Sequence, residues 1–209
     1  MNNIHCKVSI RPTFKRALLF SVLALSLQGC VEMAVGTAVV ATMVATDRRT
    51  VGAQTEDAAI MLKGAAKIAS NYPDAHVNVT SFNRKVLLTG EVKDEAAKQA
   101  IEREFATIEA VQSVANEVEI NFLSSYTSRA NDALIGAKVK ASIVNERRDL
   151  LNVVKVITEN GTVFLVGRVT QSEGAFVGDI AAGVAGVKKV VKIFEYLSEE
   201  ELSRINKGL

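Results

Sequence analysis

The sequence predicts an α+β protein made of two tandem α-β-β-α-β copies, each a three-stranded mixed sheet packed on two helices. Three observations carry that prediction. Val153–Val169 (VVKVITENGTVFLVGRV) alternates apolar and polar positions on both sides of Asn160-Gly161, the pattern of a hairpin whose tight turn needs positive φ. Val77–Val92 (VNVTSFNRKVLLTGEV) repeats it around Asn83-Arg84, and the spacing V-x-L-x-G-x-V recurs from Val86 to Val163, 77 residues on, the mark of an internal duplication. Stretches of helical spacing then flank each hairpin, and a valine-rich strand closes each copy.

Composition narrows the class. Of 209 residues, 23% are charged and 48% hydrophobic, which fits ordinary folded protein rather than disorder or a polytopic membrane protein. The net charge is +2, but Lys7, Arg11, Lys15 and Arg16 all precede residue 30 and no acid does. Without them, 21 bases face 23 acids, so overall charge gives no support to a nucleic-acid partner. The cysteines are Cys6 and Cys30, which leaves the rest of the chain without a disulfide or a thiolate metal site.

Residues 1–29 read as an export signal. Arg11, Lys15 and Arg16 form a positive flank, and Ala17–Leu27 (ALLFSVLALSL) is an apolar core of 11 residues, too short for a spanning helix of roughly 20. Leu27-Gln28-Gly29-Cys30 resembles a bacterial lipobox, which makes Cys30 the acylated first mature residue. By the same resemblance, Val31 in place of an aspartate implies sorting to the outer membrane, lipid-anchored and facing the periplasm. Residues 30–56 form the acylated N-terminus and a tether, whose stretch Val31–Thr46 is small, apolar and weakly hydrophobic.

The first copy occupies residues 57–121. Asp57–Ser70 is predicted helical, with Ile60, Gly64 and Ile68 on one side, and Asn71-Tyr72-Pro73-Asp74 stops it. After the hairpin, Asp94 is a candidate N-cap for a helix carrying Ala97, Ile101, Phe105 and Ile108. Val111, Val114, Val118 and Ile120 mark a closing strand with an irregularity between Val114 and Val118. A right-handed crossover should place that strand parallel to its predecessor. Asn121–Asn131 is polar and serine-rich and reads as a linker.

The second copy, residues 132–197, runs through a helix over Asp132–Asn145, the hairpin, a helix over Ser172–Ala185 and a strand over Val187–Tyr196. Residues 198–209 are a charged tail that frays or forms a short helix. At about 65 residues a single core is marginal, so the copies are expected to pack on each other or on the tether. Gly90 and Gly167 are expected to mark places where a helix approaches the sheet closely.

Two V-x-L-x-G-x-V strands, each followed by a helix and a Val-x-x-Val step (Val111/Val114 and Val187/Val190), resemble BON domains. Behind a lipobox, they resemble dual-BON outer-membrane lipoproteins over nearly the whole mature chain. That resemblance implies binding of anionic phospholipid, phosphatidylglycerol or cardiolipin, at the inner leaflet of the outer membrane and the division site, in support of envelope integrity. It also implies that the first helix of the second copy makes the lipid contact.

The residues themselves offer no catalytic constellation. His76 is the only mature histidine and reads as a surface or turn residue beside Asp74, without a nucleophile or enough partners for a metal. No cofactor is implied. Charge is more informative: residues 57–120 carry seven bases and ten acids, whereas residues 132–197 carry nine bases and seven acids. On the helix Asp132–Asn145, Ile135, Val139, Ser142 and Ile143 share a core face, while Leu134, Ala137, Ala141 and Val144 gather on a second, flanked by Lys138 and Lys140. Arg147 and Arg148 add charge just beyond. An apolar strip bordered by lysines suits a helix lying in a headgroup layer. The competing expectations are that Leu134 and Val144 pack against the other copy, or that the face recognises an envelope protein as part of an interaction scaffold. Leu134 lacks the aromatic ring favoured at membrane interfaces. The matching helix of the first copy shows Ala59, Leu62, Ala66 and Ala69 and suits a structural role.

Overall fold

The computed structural model describes residues 47–207. The leader, Cys30 and the tether up to residue 46 lie outside the described residues. Thr46–Leu209 form one compact unit containing both copies.

The first copy comprises α1 (Val51–Asn71), the hairpin β1 (His76–Phe82) and β2 (Lys85–Val92), α2 (Glu95–Ala106), and the short strands β3 (Ser113–Asn116) and β4 (Glu119–Ile120). The second comprises α3 (Tyr126–Arg147), a 3₁₀ turn (Arg148–Asn152), β5 (Val154–Glu159), β6 (Thr162–Val169), α4 (Gln171–Ala182) and β7 (Lys189–Tyr196), and the tail forms α5 (Glu199–Asn206). In each copy the hairpin is antiparallel and the closing strand runs parallel to the second hairpin strand. The anticipated irregularity is a break between β3 and β4, both of which pair with β2, whereas β7 is continuous over eight residues. Asp94 caps α2 by accepting from the Ala97 N–H.

Two helices begin earlier than their apolar spacing indicates. Thr50 caps α1 and Ser125 caps α3, so residues 51–56 of the expected tether and 126–131 of the expected linker are helical. The capping hydroxyl sets the start. The extra turns contribute few core residues, which is why periodicity stops short of them.

Asp57 and Asp132 therefore lie inside helices, buried, rather than at their starts. Each reaches the turn of its own hairpin. Asp57 accepts from the N–H groups of Asn83 and Arg84 at 2.7 and 2.8 Å, and Asp132 from those of Asn160 and Gly161 at 3.0 and 2.8 Å. All four turn residues have positive φ. The carboxylate satisfies the two N–H groups that such a turn directs away from the ladder.

Each sheet is apolar on both faces. One face of each packs on its own helices, around Ile60, Leu88, Ile101 and Phe105 in the first copy and Val139, Ile143, Leu165 and Val177 in the second. The other faces meet each other. Phe82 and Leu87 of the first copy cluster with Phe164 and Val166 of the second, with Ala115, Ile157, Val191 and Ile193 around them. The copies thus pack sheet on sheet, with helices on the outside.

Gly90 and Gly167 are structural glycines for a different reason from the expected helix approach. A Cβ on Gly90 would lie 2.0 Å from the His76 carbonyl oxygen, and one on Gly167 2.3 Å from that of Val153. The crowding group is the backbone entering the neighbouring hairpin strand. Gly90 also has φ +115°, which a side chain resists.

Candidate functional site

The outer face of α3 is assembled from residues that the core leaves over. Ile135, Val139 and Ile143 are buried against β5 and β6. Their spacing turns Leu134, Ala137, Lys138, Lys140 and Ala141 outward, all exposed, with Val144 half-buried at the end of the strip. Leu134 is 62% exposed. At that exposure Leu134 is not packed away, and the expectation that it packs on the other copy is not met.

The basic groups on this face are not equivalent. Among the described residues Lys138, Lys140 and Arg148 form no ion pair, whereas Arg147 holds Asp149 through two hydrogen bonds of 2.9 and 2.7 Å. The Asp149 contact raises the guanidinium pKa despite some opposing burial. Arg147 therefore spends much of its charge locally and contributes less to the field of the face than Lys140 does.

The early start of α3 adds a residue expected in the linker. At about 100° per residue, Tyr126 falls in the same arc as Ala137, Ala141 and Val144. It is 88% exposed, with the Arg129 guanidinium 5.6 Å from its ring centre. Phe122, just before the helix, is 94% exposed and lines an open hollow of about 360 Å³ with Asp74, Lys93, Ile120, Asn121 and Leu123. The aromatic group missing at Leu134 is thus supplied two turns earlier. The Ser125 cap and the angular position of Tyr126 were the signals available for finding it.

A second feature ties the end of the tether to both copies. Arg48 grips Glu173 through bonds of 2.6 and 2.7 Å and exchanges hydrogen bonds with the backbone and side chain of Arg168. Its neighbour Arg49 binds Asp47 and, at 2.7 Å, Asp57, and covers the Phe82 ring 4.3 Å from its centre. Burial pushes the Asp57 carboxyl up, but hydrogen bonds from Ser81, Arg84, Arg49 and Asn83 outweigh it and hold its pKa below the ordinary value. Consecutive arginines therefore fasten the same stretch of chain to different copies.

From its place in the sequence, His76 is expected to be a surface or turn residue. It is the first residue of β1, half-buried, and its Nδ1 lies 2.8 Å from Glu91 Oε2 and 3.7 Å from Glu159 Oε1. Glu91 is directly opposite it on β2, whereas Glu159 belongs to the second copy, which is why no local pattern shows the cluster. No helix among the described residues is long and apolar enough to cross a membrane.

Comparisons with known proteins agree with this architecture. The family model for the BON domain matches residues 56–121 and again 131–197. The chain is 37% identical to the outer membrane lipoprotein DolP of Haemophilus influenzae over 91% of its own length and 100% of that protein. It is 30% identical to a 21 kDa hemolysin of Actinobacillus pleuropneumoniae, over 72% of this chain and 79% of that one. Among solved structures, CdsD of the Chlamydia trachomatis type III secretion system aligns with 69% of this chain and 96% of its own at 13% identity. Its TM-score is 0.30, and that likeness carries no argument. The repeated hairpins, the parallel closing strands and the twofold family match establish that this chain belongs to the BON-domain family, with two copies in tandem.

Proposed function

We propose that this chain is a non-enzymatic lipoprotein of the outer membrane, anchored through Cys30 and facing the periplasm. Its second BON domain docks on anionic phospholipid, phosphatidylglycerol or cardiolipin, through the outer face of α3. The observation that carries the reading is the strip Leu134–Ala137–Ala141–Val144, exposed up to its half-buried end at Val144, with Lys138 and Lys140 beside it, free of ion pairs among the described residues. Tyr126 extends the strip with a ring suited to the headgroup boundary, and Tyr126 to Val144 spans about 27 Å of helix, long enough to lie flat along a bilayer surface. Each base near an anionic surface contributes about 1 kcal/mol, so Lys138, Lys140 and Arg148 suffice to orient the helix. Support of envelope integrity, with the division site as one place of action, follows from that attachment. The resemblance to an outer membrane lipoprotein supports the location.

Flotation with vesicles tests the reading. Protein lacking residues 1–30 should float with phosphatidylglycerol vesicles and not with phosphatidylcholine vesicles, and Leu134→Glu should abolish flotation. Equal recovery with both lipids, or unchanged recovery of the variant, would contradict it. A single dominant protein adduct through a crosslinker at position 134 in cells would instead favour the interaction-scaffold reading.

A further inference from the structure

We propose that the seam between the two BON domains holds a zinc ion, bound by His76 Nδ1, Glu91 Oε2 and Glu159 Oε1. These ligand atoms all lie within 4.8 Å of one another. Zinc bonds of about 2.0–2.2 Å in a tetrahedral shell set ligand atoms about 3.3 Å apart, and the two distances from Nδ1, 2.8 and 3.7 Å, bracket that value. Three protein ligands of imidazole and carboxylate type leave a fourth position for water.

The surroundings are those of a built site. Each carboxylate is pinned through one oxygen by an asparagine of the opposite domain and presents its other oxygen to the imidazole. Asn160 Nδ2 donates to Glu91 Oε1 at 2.8 Å, and Asn78 Nδ2 donates to Glu159 Oε2 at 2.8 Å. Such outer hydrogen bonds fix carboxylates in metal sites. The Glu159 side chain is 9% exposed, and its Oε1 accepts no hydrogen bond among the described residues. Glu91 Oε2 is further held by Ser124, at 3.3 Å from its N–H and 3.2 Å from its hydroxyl.

Charge balance points the same way. Two carboxylates, those of Glu91 and Glu159, converge on one imidazole nitrogen, and the Asp132 carboxylate lies beside them, bound to the Asn160 N–H. Glu119 approaches through Asn160. The nearby cations are directed elsewhere: Arg129 to the Ser124 hydroxyl and Lys188 to the Asn160 carbonyl, and among the described residues neither forms an ion pair with any of these four acids. A divalent cation supplies the charge that this corner lacks and joins the domains, since two of its ligands come from the first and one from the second. Imidazole in the set selects zinc over calcium or magnesium, which prefer all-oxygen shells.

The test uses the full-length chain, without a histidine tag, purified in detergent and stripped of metal. Titration with zinc chloride by calorimetry should show saturable binding of a single ion, and zinc should raise the melting temperature. His76→Asn and Glu159→Gln should each abolish both effects, and Asn78→Ala should weaken binding about tenfold. Glu159→Gln keeps an acceptor for Asn78, so its zinc-free melting temperature should equal or exceed that of the parent, which separates lost binding from lost folding. Absence of saturable binding, an unchanged response in Glu159→Gln, or an equal response to magnesium would overturn the proposal. None of these outcomes depends on lipid binding.

Discussion

In the core of the first domain Gly64 faces Phe105, and a Cβ on that glycine would lie 2.5 Å from the ring. Counted from the equivalent Asp57 and Asp132, and from Ile101 and Val177, the matching positions of the second domain hold Val139 and Ala181, both fully buried. The duplicated fold thus fills one layer in opposite ways, with a large ring from the second helix in one copy and a branched side chain from the first helix in the other. The consequence reaches the surface. The helix with valine in its core presents Leu134 outward between lysines, whereas the helix with glycine presents Ala59 and Leu62. What the copies share is fold, and what they differ in is the outer face of their first helix.

The largest effects should come from breaking that exchange of volume. Phe105→Ala should cost about 3–5 kcal/mol in urea denaturation, and Gly64→Val about 1–3 kcal/mol through overpacking. Together they should cost less than the sum, because the valine enters the space the ring vacates. Strict additivity would show that the two positions do not share one layer.

The turn acids come next. Asp57→Ala removes four hydrogen bonds, from Ser81, Asn83, Arg84 and Arg49, and should cost about 3 kcal/mol. Asp132→Ala removes the two turn bonds and should cost about 2 kcal/mol. Reversal of that order would remove Arg49 and Ser81 from the account of the first domain's stability.

Acid titration sharpens the contrast further. The lowered Asp57 carboxyl contributes stability that is present above its unfolded pKa and lost as pH falls through the folded value. The loss should begin near pH 4, where the unfolded carboxyl titrates, and Asp57→Ala should flatten that limb. Glu159 acts with the opposite sign. Its raised folded value means that its contribution is present at low pH and lost as pH rises through that value, so Glu159→Gln should remove a decline on the neutral side. The smallest effect should be Arg147→Gln, which should reduce affinity for anionic vesicles less than Lys140→Gln does. Lys140→Gln should cost roughly fivefold, at about 1 kcal/mol per charge.

Much of this fold could be read from residue spacing. The Asn160-Gly161 turn, the parallel closing strands and even the break after Val114 follow from period-two burial and the crossover rule. The packing of the domains left a trace that alternation alone obscures: Leu87, Phe164 and Val166 make the second face of each sheet apolar, as expected of a sheet buried on both sides. The starts of α1 and α3 were hidden because their first turns bring little to the core beyond Ala53, with only a threonine or serine cap to mark them. Asp57 and Asp132 were visible as repeated positions but not as turn caps, since that role depends on the helix passing behind its hairpin. The outer face of α3 followed from helical geometry once the core face was assigned. The His76, Glu91 and Glu159 cluster could not be found in this way, because Glu159 joins the cross-strand pair His76–Glu91 only when the two sheets pack.

The difference between the first helices can be measured directly, because the chain after Cys30 has no cysteine. A single environment-sensitive fluorophore attached at Leu134→Cys, or at Ala59→Cys in the matching position of the first domain, reports which face enters the lipid. On phosphatidylglycerol vesicles the label at 134 should shift to the blue and become protected from aqueous quencher, while the label at 59 should not change. Equal shifts at both positions, or a shift at 59 alone, would contradict the assignment of lipid binding to the second domain.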